Sequence, residues 1–110
     1  MKVEERGHTT IVKDTQGNAN AFLMKLTHEH KTFEKRNLIL DITSDNNVTI
    51  KVISQFKPLS KIHRKGKKSF VIVVSGIDFT EVPDALVVVP TLLEAHDMIE
   101  MEEIERDLGF

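Results

Sequence analysis

The sequence predicts a small α/β domain built on a mixed four-stranded sheet, with helices mainly on one face. Two uniform apolar runs carry that expectation, Leu38-Ile39-Leu40-Asp41-Ile42 and Phe70-Val71-Ile72-Val73-Val74. They lie about thirty residues apart around an amphipathic stretch, the spacing of a strand, a crossover helix and a parallel strand. Strands in a parallel sheet are buried on both faces, so nearly continuous apolar runs suit them and helices must cover them. Sites in such sheets lie at the carboxyl ends of the strands, which points to the loop after Asp41.

The elements follow in order. Thr9-Thr10-Ile11-Val12-Lys13-Asp14 is short and β-branched, a first strand closed by the turn Gln16-Gly17-Asn18. From about Asn20 the period changes, and Phe22, Leu23, Leu26, His30 and Phe33 share one face of a helix. Asn18 or Asn20 is placed to cap it, and Arg36-Asn37 to close it before the strand 38–42. Thr43-Ser44-Asp45-Asn46-Asn47 is a polar loop rich in capping side chains. Beyond it Val48, Ile50 and Val52 alternate like a strand, whereas Ile50, Ile53, Phe56 or Lys57, Leu59 or Ser60, and Ile62 or His63 suit a helix. The need for a crossover favours a helix over 49–64, bent near Pro58. Gly66 is its expected stop.

After the strand 70–74, the segment 75–83 is too short and broken to hold a full helix. Leu86-Val87-Val88-Val89 reads as a last, short, buried strand. Thr91 with Glu94 has the pattern of a capping box and opens a helix over 91–108. Leu92, Ala95, Ile99, Met101, Ile104 and Leu108 form its apolar stripe, and Gly109 ends it.

At 110 residues, 40% hydrophobic and 29% charged, residues 1–110 make one ordinary globular domain with a single core. There are six Phe but no Trp or Tyr, which weakens any model of base stacking. Without cysteine there is no disulfide framework and no thiolate metal site. The charged start Met1 to Arg6 leads into no apolar signal region, and no apolar run approaches the roughly twenty residues of a membrane span. A cytoplasmic location, with no membrane partner, is the expectation. The net charge of −2 is unevenly spread. Lys57, Lys61, Arg64, Lys65, Lys67 and Lys68 follow one another without an intervening acid, while seven acids crowd residues 91–110 against Arg106 alone. That asymmetry permits head-to-tail self-association or pairing within the chain.

Candidate chemistry is sparse. In His28-Glu29-His30 the two imidazoles point roughly 200° apart on a helix, so they do not ligate one ion. His30 is expected at the edge of the core and His28 in solvent; His8, His63 and His96 stand alone, without ligand spacing. No nucleophile elbow and no glycine-rich phosphate loop occurs, and the acidic helix reads as a solvated face. The expectation is a non-enzymatic chain without metal or cofactor. The basic residues between Lys57 and Lys68 are placed for salt-dependent phosphate contacts, which makes an RNA-associated accessory role the alternative.

Three segments give the chain a family resemblance. They are Leu38-Ile39-Leu40-Asp41-Ile42 with its polar loop, the run His63-Arg64-Lys65-Gly66-Lys67-Lys68-Ser69-Phe70-Val71-Ile72-Val73, and Pro90-Thr91-Leu92-Leu93-Glu94-Ala95. Over about residues 14–101 the chain resembles the STAS fold of anti-sigma factor antagonists and sulfate-transporter tails. The resemblance implies a regulatory interaction module, unidentified as to protein partner, that presents Asp45, Asn46 and Asn47. It also implies a phosphorylation switch in an Asp-Ser-Ser-Gly-like loop opening the second helix. Here that place holds Thr49-Ile50-Lys51-Val52, so serine is missing and Val52 replaces the glycine, leaving Ser44 and Thr49 as the switch candidates. The ending, from Val89-Pro90-Thr91-Leu92-Leu93-Glu94-Ala95-His96-Asp97-Met98 onward, is similar to short Bacteroidetes proteins that often carry the name ribonuclease Z. That nuclease needs an HxHxDH cluster, whereas here Lys31-Thr32 follow His28-Glu29-His30.

Overall fold

The computed structural model describes residues 1–109. Strands β1 (Lys2–Arg6), β2 (Thr9–Lys13), β3 (Asn37–Asp41), β4 (Phe70–Val73) and β5 (Val87–Val89) form one sheet, in that spatial order. β1 pairs antiparallel with β2, and the remaining pairings are parallel. Helices are α1 (Ala19–Phe33), α2 (Ile50–Ser54), α3 (Lys57–Lys65) and α4 (Leu92–Asp107), with α2 and α3 together making one broken crossover. The α/β class and the mixed sheet are those expected. The strand count is five, not four.

The added strand is β1, Lys-Val-Glu-Glu-Arg, exposed along its whole length. With no buried side chain it shows no apolar alternation, the usual mark of a strand. Its signal is the turn. Arg6 pairs with Thr9 across Gly7-His8, and Gly7 takes φ +56°, the left-handed first position of a type II′ hairpin. Charged side chains on an edge strand also discourage further pairing.

Side chains alternate across the sheet and divide the core in two. Leu38, Leu40, Ile42, Phe70, Ile72 and Val74 join Phe22, Leu26, Ile53, Phe56 and Leu59 under α1, α2 and α3. Ile11, Ile39, Val71 and Val73 turn the other way and meet Ala95 and Ile99 of α4. One face therefore carries three helical segments, and α4 alone covers the other.

The caps explain the helix boundaries. The Asn18 side chain accepts from the Ala21 N–H, Thr49 from Val52 and Thr91 from Glu94, which fixes the starts of α1, α2 and α4. The crossover breaks at Gln55-Phe56, with Pro58 in the first turn of α3, where its missing N–H leaves no bond unmade. The bend thus precedes the proline instead of lying at it. Between β4 and β5 only Phe79–Glu81 form a short 3-10 turn.

Three details depart from expectation. Strand β5 is half-buried because it is the sheet's second edge. Along α4 only Ala95 and Ile99 are buried, while Leu92, Met101, Ile104 and Leu108 are exposed, so the apolar residues read as one stripe divide between two sides. Gly66 does cap α3, but at φ −77°; the left-handed residue is Lys67, at φ 60°. A non-glycine residue there costs roughly 1–2 kcal/mol, partly offset by the stiffer unfolded chain. Lys67→Gly is therefore expected to stabilise the fold by about 0.5–1 kcal/mol. Thermal unfolding reads this as a higher midpoint; an unchanged or lower one contradicts it.

Candidate functional site

The carboxyl ends of β2 and β3 meet in a polar ledge. The Asp14 N–H donates to the Asp41 carbonyl at 2.9 Å, continuing the pairing past the strands. The buried Asp14 carboxylate accepts from the N–H groups of Gln16 and Asn18 at 2.9 and 2.8 Å and shapes the turn into α1. The buried Asp41 carboxylate accepts from Thr43 N–H at 3.0 Å and Thr43 Oγ1 at 2.6 Å. Asp45 ties the two loops together: one oxygen accepts from Ala19 N–H and the other from Asn47 N–H, both at 2.9 Å. A Cβ on Gly17 would lie 3.2 Å from the Ser44 carbonyl oxygen, so glycine lets the two backbones close up.

These bonds show how each expected site residue is held. Asp45 is a strut whose carboxylate already serves two amides. Asn46 and Asn47 stand exposed on the outer rim. Ser44 is exposed as a residue, yet its hydroxyl donates to the Asp14 carbonyl at 2.6 Å. Thr49 is exposed, and its Oγ1 accepts from Val52 N–H at 3.3 Å at the start of α2. The aspartates are thus occupied with backbone amides, the usual use of such side chains in turns. Among the described residues, no group of three or more His, Asp or Glu side chains is placed to hold a metal ion.

The basic residues do not form one patch. Lys57, Lys61 and Lys65 are exposed on α3. Arg64 turns inward, its guanidinium donating to Glu102 at 3.2 and 3.4 Å and to the Phe70 carbonyl at 3.0 Å. Lys67 and Lys68 border a cleft of about 340 Å³ with Arg64 and Arg106. Around Glu102 a polar cluster closes the amino ends of β3 and β4. Ser69 Oγ donates to Glu102 at 2.5 Å, and Arg106 donates to Ser69 Oγ at 3.2 Å and to Asn37 Oδ1 at 3.3 Å. Ser69 N–H also donates to Asn37 Oδ1, at 2.9 Å.

A histidine pair went unseen in the sequence. His28 is exposed and His30 half-buried, as expected, but His63 is buried and lies against His30. His63 Nε2 is 2.8 Å from the Arg36 carbonyl, which only accepts, so Nε2 carries the hydrogen. Nδ1, 2.9 Å from His30 Nε2, is then the acceptor for the His30 N–H. Burial lowers the His63 pKa to about 4, with the neighbouring charges of His30, Arg64 and Lys68 adding to the effect against the Arg36 hydrogen bond. A hollow of about 300 Å³ bordered by Glu34, Lys35 and Ile62 adjoins the pair. Leu59, Ser60 and His63 lie on one side of α3, so burial of His63 was readable from spacing; its partner on another helix was not.

No protein-family model matches the chain, and no curated protein matches it. Among the described residues, no helix is long and apolar enough to cross a membrane. The fold and its ledge define an α/β domain with a five-stranded mixed sheet and a braced loop at the carboxyl ends of its strands.

Proposed function

We propose that this chain is a non-enzymatic, STAS-like interaction module of cytoplasmic regulation, which offers the 43–49 loop to a protein partner. The observation that carries this reading is the bracing of that loop. Asp45 and Ser44 spend their polar atoms holding it to the β2–α1 turn, while Asn46, Asn47 and Thr49 stay exposed. A rim held in one shape loses little conformational entropy on binding. The order of strands and helices supports the STAS-like assignment, while the short connection between β4 and β5 departs from that family, which has a helix there. Thr49 is the better of the two switch candidates, because the Ser44 hydroxyl is committed to Asp14. A phosphate there adds about two negative charges to the exposed rim and changes what it attracts. The RNA-associated reading is weaker: Arg64 is turned inward, and the remaining lysines divide between α3 and a cleft.

The test is a pull-down from native lysate with wild type, Asn46→Arg and, as a control on the exposed part of α1, Thr32→Arg. The expected result is a protein captured by wild type and control and reduced about tenfold or more by Asn46→Arg, a loss of roughly 1.4 kcal/mol or more. Equal capture by all three overturns the reading. Retention on RNA instead, abolished by Lys61→Ala, Lys65→Ala and Lys67→Ala together, decides for the alternative.

A further inference from the structure

Helix α4 is apolar on two opposite sides. Its inner side sets Ala95 and Ile99 against the sheet. Its outer side carries Leu93, Met101, Ile104 and Leu108, which are 72, 57, 59 and 65% exposed. They fall at i, i+8, i+11 and i+15, one line along a helix. The same geometry places Asp97 within the stripe, Glu100 and Asp107 along one border, and Glu94 and Glu105 along the other. Among the described residues none of these five carboxylates has an ion-pair partner. An apolar stripe edged with carboxylates suits a helix that brings apolar side chains and a cationic border.

Two α4 helices do not satisfy each other, since their borders would set carboxylate against carboxylate. Helix α3 offers the complement. Lys57, Lys61 and Lys65 recur at i, i+4 and i+8 on its exposed side, next to Pro58 and to Ile62, which is itself exposed. Among the described residues these lysines have no ion-pair partner either. Helices α3 and α4 cover opposite faces of the sheet, and although Arg64 reaches round to Glu102 on the inner part of α4, among the described residues no lysine of α3 pairs with an outer carboxylate of α4 within one chain. We propose that the outer face of α4 docks on α3 of a second copy of this chain. Because the two surfaces differ and face apart, each bound molecule presents both again, and association continues head to tail.

A charge exchange tests this. In sedimentation experiments at about 0.02 M salt the weight-average mass of wild type should climb with concentration, to about twice the monomer or beyond. At about 0.5 M salt it should return to the 12.5 kDa of one chain. Lys57→Glu with Lys61→Glu makes α3 acidic, and Glu100→Lys with Glu105→Lys makes α4 basic. Each double variant alone should stay monomeric, and an equal mixture should associate again, since each then offers what the other lacks. All four positions are exposed, and circular dichroism is the check that each variant folds. Should a variant not fold, Leu93→Ser with Ile104→Ser removes the stripe without touching charge and should abolish association. Wild type that remains monomeric at low salt overturns the proposal, and so does a mixture of folded variants that fails to associate.

Discussion

Lowering the pH from 7 to 4 is expected to cost wild type about 3 kcal/mol more stability than it costs a His63→Gln variant. In the folded protein the His63 pKa lies at about 4, against an ordinary value of 6.5. A folded-state pKa held below the unfolded one means that the unfolded chain takes up the proton first. The neutral imidazole's contribution is therefore complete above about pH 6.5 and lost as the pH falls towards 4. The separation of about 2.5 pH units, at 1.36 kcal/mol each, sets the scale. The geometry shows why the proton is refused. Burial denies the imidazolium its hydration, and the neighbouring charges of His30, Arg64 and Lys68 add to this, against the hydrogen bond to the Arg36 carbonyl that favours the charged form. Glutamine does not titrate, and the carboxylates contribute nearly equally to both proteins, so the difference between their pH profiles belongs to His63. Variant and wild type would be unfolded in urea at pH 7, 5.5 and 4. His63→Gln should be the less stable at pH 7, having lost packing and a hydrogen bond, and the gap should narrow or reverse by pH 4. Parallel profiles would remove the pair's role in acid sensitivity.

How much of this was open to sequence reading depends on whether a feature is local. The unbroken apolar runs of β3 and β4 announce two buried faces because the pleat turns successive residues to opposite sides, and Asn18, Thr49 and Thr91 cap helices through groups three residues away. Pro58 falls in the same class, although the chain uses it to begin α3 instead of bending a continuous helix. β1 escaped because both of its faces meet solvent, leaving only the Gly7-His8 turn to mark it. In α4 the apolar residues were read as one stripe facing the core, yet only Ala95 and Ile99 reach it. Helical spacing tells which residues share a side; it does not tell which side the sheet covers. The loop after Asp41 does lie at the carboxyl end of β3, but the bonds that tie Asp45 to Ala19 and Asn47 had no local signal. His30 with His63, and Asn37 with Ser69, Glu103 and Arg106, join residues about thirty or more positions apart, and nothing local signals such meetings.

The second large effect concerns how α4 is held. With only Ala95 and Ile99 buried, its apolar attachment is slight for a helix of 16 residues. Glu102 is the centre of the polar contacts that add to it. It accepts from Arg64 at 3.2 and 3.4 Å and from Ser69 Oγ at 2.5 Å, and Arg106 approaches to 4.0 Å. Glu102→Ala would leave two guanidinium groups side by side without their shared anion, and the buried Ser69 hydroxyl without its acceptor. Breaking a buried pair by removing one partner costs about 3–5 kcal/mol. Both arginines keep some contact with water, so screening lowers the expectation here to about 2–3 kcal/mol. Glu102→Gln keeps an acceptor for Ser69 but drops the charge, and should fall between the variant and wild type. The loss should concentrate in α4, because α1, α2 and α3 pack on the other face of the sheet. Native-state hydrogen exchange distinguishes this from general weakening: amides in the second half of α4 should exchange roughly 30- to 150-fold faster in Glu102→Ala, with a smaller change in β3 and β4. Wild-type exchange rates along α4 would show that the apolar contacts alone hold the helix. A uniform acceleration across the sheet would instead make Glu102 a support of the whole fold, through Arg64 and the Phe70 carbonyl that it anchors.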